Sequence, residues 1–101
     1  MQFLVIGRDG DDADAPARRA RVRPVHLDFI QALVDRGQIL IGGAILDASG
    51  AMIGSTLLVE FETREALDEW LASDPYVTGE VWRSIEVHPF RGAVGAWMPE
   101  G

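Results

Sequence analysis

The stretch Ile39-Leu40-Ile41-Gly42-Gly43-Ala44-Ile45-Leu46-Asp47-Ala48-Ser49-Gly50-Ala51-Met52-Ile53-Gly54-Ser55-Thr56-Leu57-Leu58-Val59-Glu60 decides the architecture. Two apolar runs, Gln38 to Leu46 and Met52 to Glu62, flank Asp47-Ala48-Ser49-Gly50, which has the composition of a turn, and together they read as a β-hairpin. Ile39-Leu40-Ile41 and Leu57-Leu58-Val59 are apolar at successive positions, so both faces of the sheet require cover.

Upstream, Phe3-Leu4-Val5-Ile6 is a short strand, and the acidic stretch Gly7 to Pro16 reads as a long connection. Val22, Phe29, Ile30, Leu33 and Val34, together with His26, then recur at helical spacing, with Gly37 as the stop signal. Proline is tolerated in a first helical turn, so Pro24 sets the firm helix at 23–36 and leaves 16–22 as a kinked extension. Downstream, Thr63 caps a helix over 64–72 with Ala66, Leu67, Trp70 and Leu71 on its buried face. Asp74-Pro75 ends that helix and opens one further turn, and Val81 to Phe90 is the last strand. Residues 92–101 form a C-terminal tail carrying Trp97.

The order is strand, helix, strand, strand, helix, strand. It predicts an α+β, ferredoxin-like βαββαβ fold with a four-stranded antiparallel sheet and two helices on one face. Left bare, the other face would exceed the roughly few hundred Å² of apolar patch usual for a soluble monomer. A homodimer formed through the open sheet face is therefore expected.

Composition removes several kinds of chemistry. The 101 residues form one domain without Cys or Lys, which excludes thiol nucleophiles, disulfides, cysteine metal sites, Schiff-base chemistry and a phosphate-loop lysine. Acidic residues outnumber basic ones, 16 against 9, so nucleic acid is not the expected partner. Arg18, Arg19, Arg21 and Arg23 follow Asp9, Asp11, Asp12 and Asp14, and this mixed stretch reads as a self-compensating solvated surface. No run is long enough to span a membrane, and Met1-Gln2-Phe3-Leu4 lacks the charged head and cleavage site of a signal peptide. The expected location is cytoplasmic.

The residues able to carry chemistry are few. His26 on the helix stripe and Asp74 at the head of Asp74-Pro75-Tyr76 would form a general acid/base pair if the fold joined them. Each also has a plain structural role: His26 as a core histidine bonded to a carbonyl, Asp74 as a helix cap, Tyr76 as a partly buried aromatic with its hydroxyl at the surface. His88 could join His26 as a metal ligand, but two histidines without a clustered spacing are a poor metal signal, and neither metal nor cofactor is expected. Gly42-Gly43 lies within a strand and no helix follows, so it marks a bulge or a close approach and not a dinucleotide loop.

Taken in order, Arg23-Pro24-Val25-His26-Leu27, Gly42-Gly43, Gly54-Ser55, Asp74-Pro75-Tyr76 and Val87-His88-Pro89-Phe90 resemble the YciI-like (YCII-related) domain family over about residues 1–91. The resemblance implies a dimeric α+β barrel in which His26 and Asp74 meet in a cleft as a catalytic dyad, with Arg23, Gly43 and Ser55 lining it beside Pro75 and Tyr76. It also implies kinship with a dehydrochlorinase and with the muconolactone isomerase barrel. The acidic loop 9–15 and the Trp97 tail depart from the family pattern, so substrate choice is not carried over.

The expected function is cofactor-independent proton transfer on a small organic acid or carbonyl compound, of lyase or isomerase type. Asp74 would orient the imidazole, and Arg23 would hold a carboxylate or an enolate. The alternatives are a non-catalytic domain binding a small metabolite in the same cleft, and a partner-binding module working through loop 9–15.

Overall fold

The computed structural model describes residues 1–95. Of the C-terminal tail, residues 96–101, with Trp97, lie outside the described residues. The elements are β1 (Gln2–Asp9), α1 (Ala15–Asp35), β2 (Ile39–Leu46), β3 (Met52–Glu60), α2 (Arg64–Ser73), a single turn α3 (Pro75–Thr78) and β4 (Trp82–Phe90). All strand pairs are antiparallel, in the order β2-β3-β1-β4, which is the ferredoxin-like arrangement.

Alternation along the strands divides the sheet. Phe3 and Val5 of β1 pair with Val59 and Leu57 of β3, and all four are buried beneath the helices with Leu33, Ile39, Leu67, Trp70 and Tyr76. Leu4 pairs with Leu58 and His88 and belongs to the other face. That face carries Ile41 and Phe90, 53% and 43% exposed, and with Leu4, Ile45 and Leu58 they line a broad hollow of about 620 Å³.

The hairpin turn forms as its composition requires. Asp47 Oδ1 accepts hydrogen bonds from Ser49 N (2.8 Å) and Ala51 N (3.0 Å), and Gly50 supplies the positive φ of 88°. Thr63 Oγ1 accepts from Ala66 N at 3.1 Å and caps α2. Asp74 caps α3 by accepting from Tyr76 N at 2.8 Å, with Pro75 in the first turn.

Three expectations are corrected here. The first helix begins at Ala15 and runs through Pro24, so Pro16 and not Pro24 occupies its opening turn. An internal proline costs about 3 kcal/mol. Burial of Ala15 and Arg19 and the packing of Val22 on the core favour the longer helix against that cost. The acidic connection shrinks to 10–14, because β1 continues to Asp9. Val34, placed on the buried stripe from sequence, is 43% exposed, one position off the line through His26, Ile30 and Leu33.

The loop is fastened to the helix it precedes. Arg18 donates to both oxygens of Asp12, at 2.8 and 3.1 Å, and this contact lowers the Asp12 carboxyl to about 2. Gly7 sits directly beneath Trp82, whose ring atoms lie as near as 2.4 Å to where a Cβ would be, so any larger residue would displace the indole.

Candidate functional site

The middle of α1, the strand pair β2–β3 and the turn α3 enclose a cavity of about 190 Å³. Helix geometry brings Arg19, Arg23, His26 and Ile30 to it, spaced four, three and four residues apart along one face. Gly42-Gly43-Ala44 of β2 and Ser55 and Leu57 of β3 form the opposite wall, and Tyr76 comes from α3.

His26 Nδ1 lies 2.8 Å from Asp74 Oδ1, and the two side chains are 5% and 0% exposed. The same oxygen accepts from Tyr76 N, so the residue that caps α3 also holds the imidazole. A carboxylate is an acceptor alone, so the contact places a hydrogen on Nδ1, and in the neutral ring Nε2 is the nitrogen that carries the lone pair. Asp74 Oδ2 is buried without a hydrogen-bond partner among the described residues.

The imidazole is further fixed by packing. Its ring stacks on Tyr76 with centroids 3.7 Å apart and 7° between planes, and it meets Trp82 edge-on at 5.7 Å. Tyr76 is 1% exposed, which corrects the expectation of a surface hydroxyl, and burial raises its phenol above the usual value of 10.0.

Arg19 is the main residue that sequence reasoning missed. Placed from sequence on a solvated surface, it is 5% exposed: Nη1 donates to both oxygens of Asp9 (2.9 and 3.0 Å) and Nη2 donates to Ser55 Oγ (2.9 Å). Its guanidinium carbon stands 4.9 Å from the centroid of the Tyr76 ring. The signal was present in the spacing of Arg19, Arg23 and His26, but starting the helix at 23 hid it. Trp82 Nε1 donates to the same Ser55 oxygen at 3.2 Å, and no sequence pattern announced that contact.

Of the residues nominated from sequence, His26, Arg23, Gly43, Ser55 and Tyr76 line the cavity. Asp74 stands behind the imidazole and reaches the cavity through it. Pro75 stays in the opening turn of α3, outside the cavity lining. His88 lies on the other face of the sheet, paired with Leu4 and 3.6 Å from Glu86, so it shares no site with His26. Gly42 is explained by close packing, since a Cβ there would stand 2.4 Å from Leu57 Cδ2, whereas Gly43 faces open space.

An α+β fold of this topology, with a buried carboxylate holding a histidine at the wall of a small cavity, defines the structural class. Residues 1–91 match the YCII-related domain, and the chain belongs to that family. It is 38% identical to Protein YciI of Escherichia coli O6:H1 over 97 residues, covering 90% of this chain and 97% of the relative. An uncharacterized protein of Haemophilus influenzae is 34% identical over the same shares of both chains.

Among solved structures, the 5-chloro-2-hydroxyhydroquinone dehydrochlorinase TftG of Burkholderia phenoliruptrix AC1100, in complex with 2,5-dihydroxybenzoquinone, superposes with a TM-score of 0.80. It shares 23% identity, with 90% of this chain and 94% of TftG covered. Rv0793 of Mycobacterium tuberculosis superposes with a TM-score of 0.54 at 22% identity, covering 93% of this chain and 100% of that one. These likenesses establish the fold.

Proposed function

We propose that the cavity is the active site of a cofactor-independent enzyme that moves a proton on a small organic acid or carbonyl compound. The observation that carries this reading is the 2.8 Å contact between His26 Nδ1 and the fully buried Asp74, which leaves Nε2 as the free basic nitrogen of a ring on the cavity wall. The proton leaves a carbon next to a carbonyl and goes to His26 Nε2, and the electron pair of the broken C–H bond forms a carbon–carbon double bond as the carbonyl oxygen takes up the charge. Return of the proton to another carbon completes an isomerisation. Departure of a leaving group with its electron pair, as the carbonyl re-forms, completes an elimination.

Arg23 is exposed, lines the cavity and has no ion-pair partner among the described residues, so its guanidinium is available to a substrate carboxylate. Gly43 contributes backbone to the cavity wall, since in the strand register it pairs with Thr56 and its open side is the other face of the sheet. The TftG relative is a dehydrochlorinase, and a proton-abstracting histidine suits elimination of that kind. The protein works as a homodimer through the open sheet face, where exposed Ile41 and Phe90 call for cover.

The test is proton NMR in deuterated water with a panel of enolisable and halogenated small acids and quinols. Wild-type protein is expected to exchange or consume at least one of them in the presence of a chelator. His26→Ala should slow this by roughly 10²- to 10⁴-fold while ligand binding survives. A ligand that binds through Arg23, is never turned over and is indifferent to His26→Ala would instead identify a binding domain.

A further inference from the structure

We infer that Ser55 is locked as a hydrogen-bond donor into the cavity, held there by Arg19 and Trp82, so that the site selects ligands presenting an oxyanion and disfavours the same ligands as neutral hydroxyls. This deepens the proposed function by naming the ligand class of the same cavity, and it rests on that cavity being a ligand site.

A serine hydroxyl has two acceptor lone pairs and one hydrogen to donate. In this fold both lone pairs are engaged by groups that can act only as donors: Arg19 Nη2 at 2.9 Å and Trp82 Nε1 at 3.2 Å. Neither contact can reverse, because guanidinium and indole N–H carry no acceptor. The remaining valence of Ser55 is its O–H, no group among the described residues accepts that hydrogen, and the residue lines the cavity. Two hydrogen bonds donated to the oxygen, one from a cation, polarise the O–H and strengthen it as a donor.

The support around Ser55 is rigid. Arg19 is buried and clamped by Asp9, which balances its charge, and Trp82 is wedged over Gly7, where no side chain fits. Arg19 and Trp82 are thus positioning residues that act through Ser55. Asp9, the last residue of β1, belongs to the same device. Because Arg19 is neutralised, the uncompensated positive charge at the cavity is that of Arg23.

A donor that cannot accept discriminates between protonation states of one ligand. A phenolate or enolate oxygen accepts from Ser55 and needs nothing further. A neutral phenol or enol can also accept, but more weakly, and its own hydrogen finds no acceptor on Ser55. Leu27, Ile30, Ile39 and Leu57 keep the surroundings apolar, where a charge-assisted bond counts for more than in water. The same bond would form as a carbonyl becomes an enolate, so the donor favours the charge that proton abstraction creates.

The probe is 4-nitrophenol, whose two protonation states differ in visible absorption. Dissociation constants of both states are obtained by titrating the full chain across the pH range in which the free phenol ionises. Wild-type protein is expected to prefer the phenolate. Ser55→Ala should reduce the ratio of phenolate to phenol affinity roughly 5- to 10-fold, the difference between a hydrogen bond to a charged acceptor and one to a neutral acceptor. Trp82→Phe frees one lone pair of Ser55, so the ratio should fall several-fold even where overall affinity changes little.

The ratio separates this role from a merely structural one, since loss of folding scales both affinities together. In His26→Phe no base is present to take the probe's proton, and the phenolate preference should persist. A failed search for turnover thus leaves this inference standing. The inference is overturned if bound 4-nitrophenol is neutral where the free probe is half ionised, if the ratio is the same in Ser55→Ala, or if millimolar probe shows no saturable binding.

Discussion

The contact between His26 and Asp74 predicts a coupling energy that a double-mutant cycle can isolate. Asp74 is fully buried and its Oδ1 takes two hydrogen bonds, from His26 Nδ1 and Tyr76 N. Replacing it with Ala orphans both buried donors, and such a loss at a buried pair costs about 3–5 kcal/mol. Cap and pair are mixed in that number. His26→Phe separates them, because a phenyl ring can keep the stack on Tyr76 and removes the ring nitrogens, of which Nδ1 is the one that faces Asp74.

In the cycle of Asp74→Ala, His26→Phe and the double variant, the bond to Tyr76 N is lost in both Asp74→Ala backgrounds and cancels. What remains is the imidazole–carboxylate bond, expected at about 1.5–3 kcal/mol for a hydrogen bond to a charged group. The assay is urea unfolding followed by circular dichroism. If Asp74→Ala leaves no folded baseline, Asp74→Asn replaces it, and the expected coupling drops to about 1 kcal/mol, the difference between charged and neutral acceptors. A coupling below about 0.5 kcal/mol would refute the pair and reduce Asp74 to a helix cap.

The chain holds a single tyrosine, so ultraviolet titration of phenolate reports Tyr76 alone. Burial raises its folded-state pKa above 10.0, so its contribution to stability is complete below pH 10 and is lost as pH rises through the higher folded value. Wild-type protein should therefore ionise later than free tyrosine and lose stability as it does so, a loss that Tyr76→Phe removes. A midpoint at or below 10 in the folded protein would contradict the burial. On the open sheet face, Ile41→Glu should yield monomers in analytical ultracentrifugation where the wild type sediments as a dimer, and a monomeric wild type would overturn the homodimer.

Much of the fold was legible because local signals agreed with the global topology. The hairpin at Asp47-Ala48-Ser49-Gly50, the Thr63 cap and the Asp74-Pro75 turn each rest on hydrogen bonds within a few residues, which the sequence itself encodes. The start of α1 was not legible, since a rule about Pro24 was weighed against tertiary burial of Ala15 and Arg19 that no local pattern reveals. That one boundary shift removed Arg19 from view. Val34 was misplaced for a smaller reason, a drift of one position along the helix stripe.

The sequence by itself determined the strand and helix order, the apolar faces, the want of thiol and amine chemistry, and the nomination of His26 and Asp74. Helical period, strand alternation and turn chemistry are short-range properties, so they can be read along the chain. Only the tertiary structure decided that the two residues meet across 48 positions, that Ser55 receives Arg19 from 36 residues away and Trp82 from 27, and that His88 faces the opposite side of the sheet. Those outcomes depend on strand register and on the angle at which α1 crosses the sheet. A shift of one residue would turn Ser55 from the cavity to the other face, and nothing local to Ser55 records which register the packed core selects.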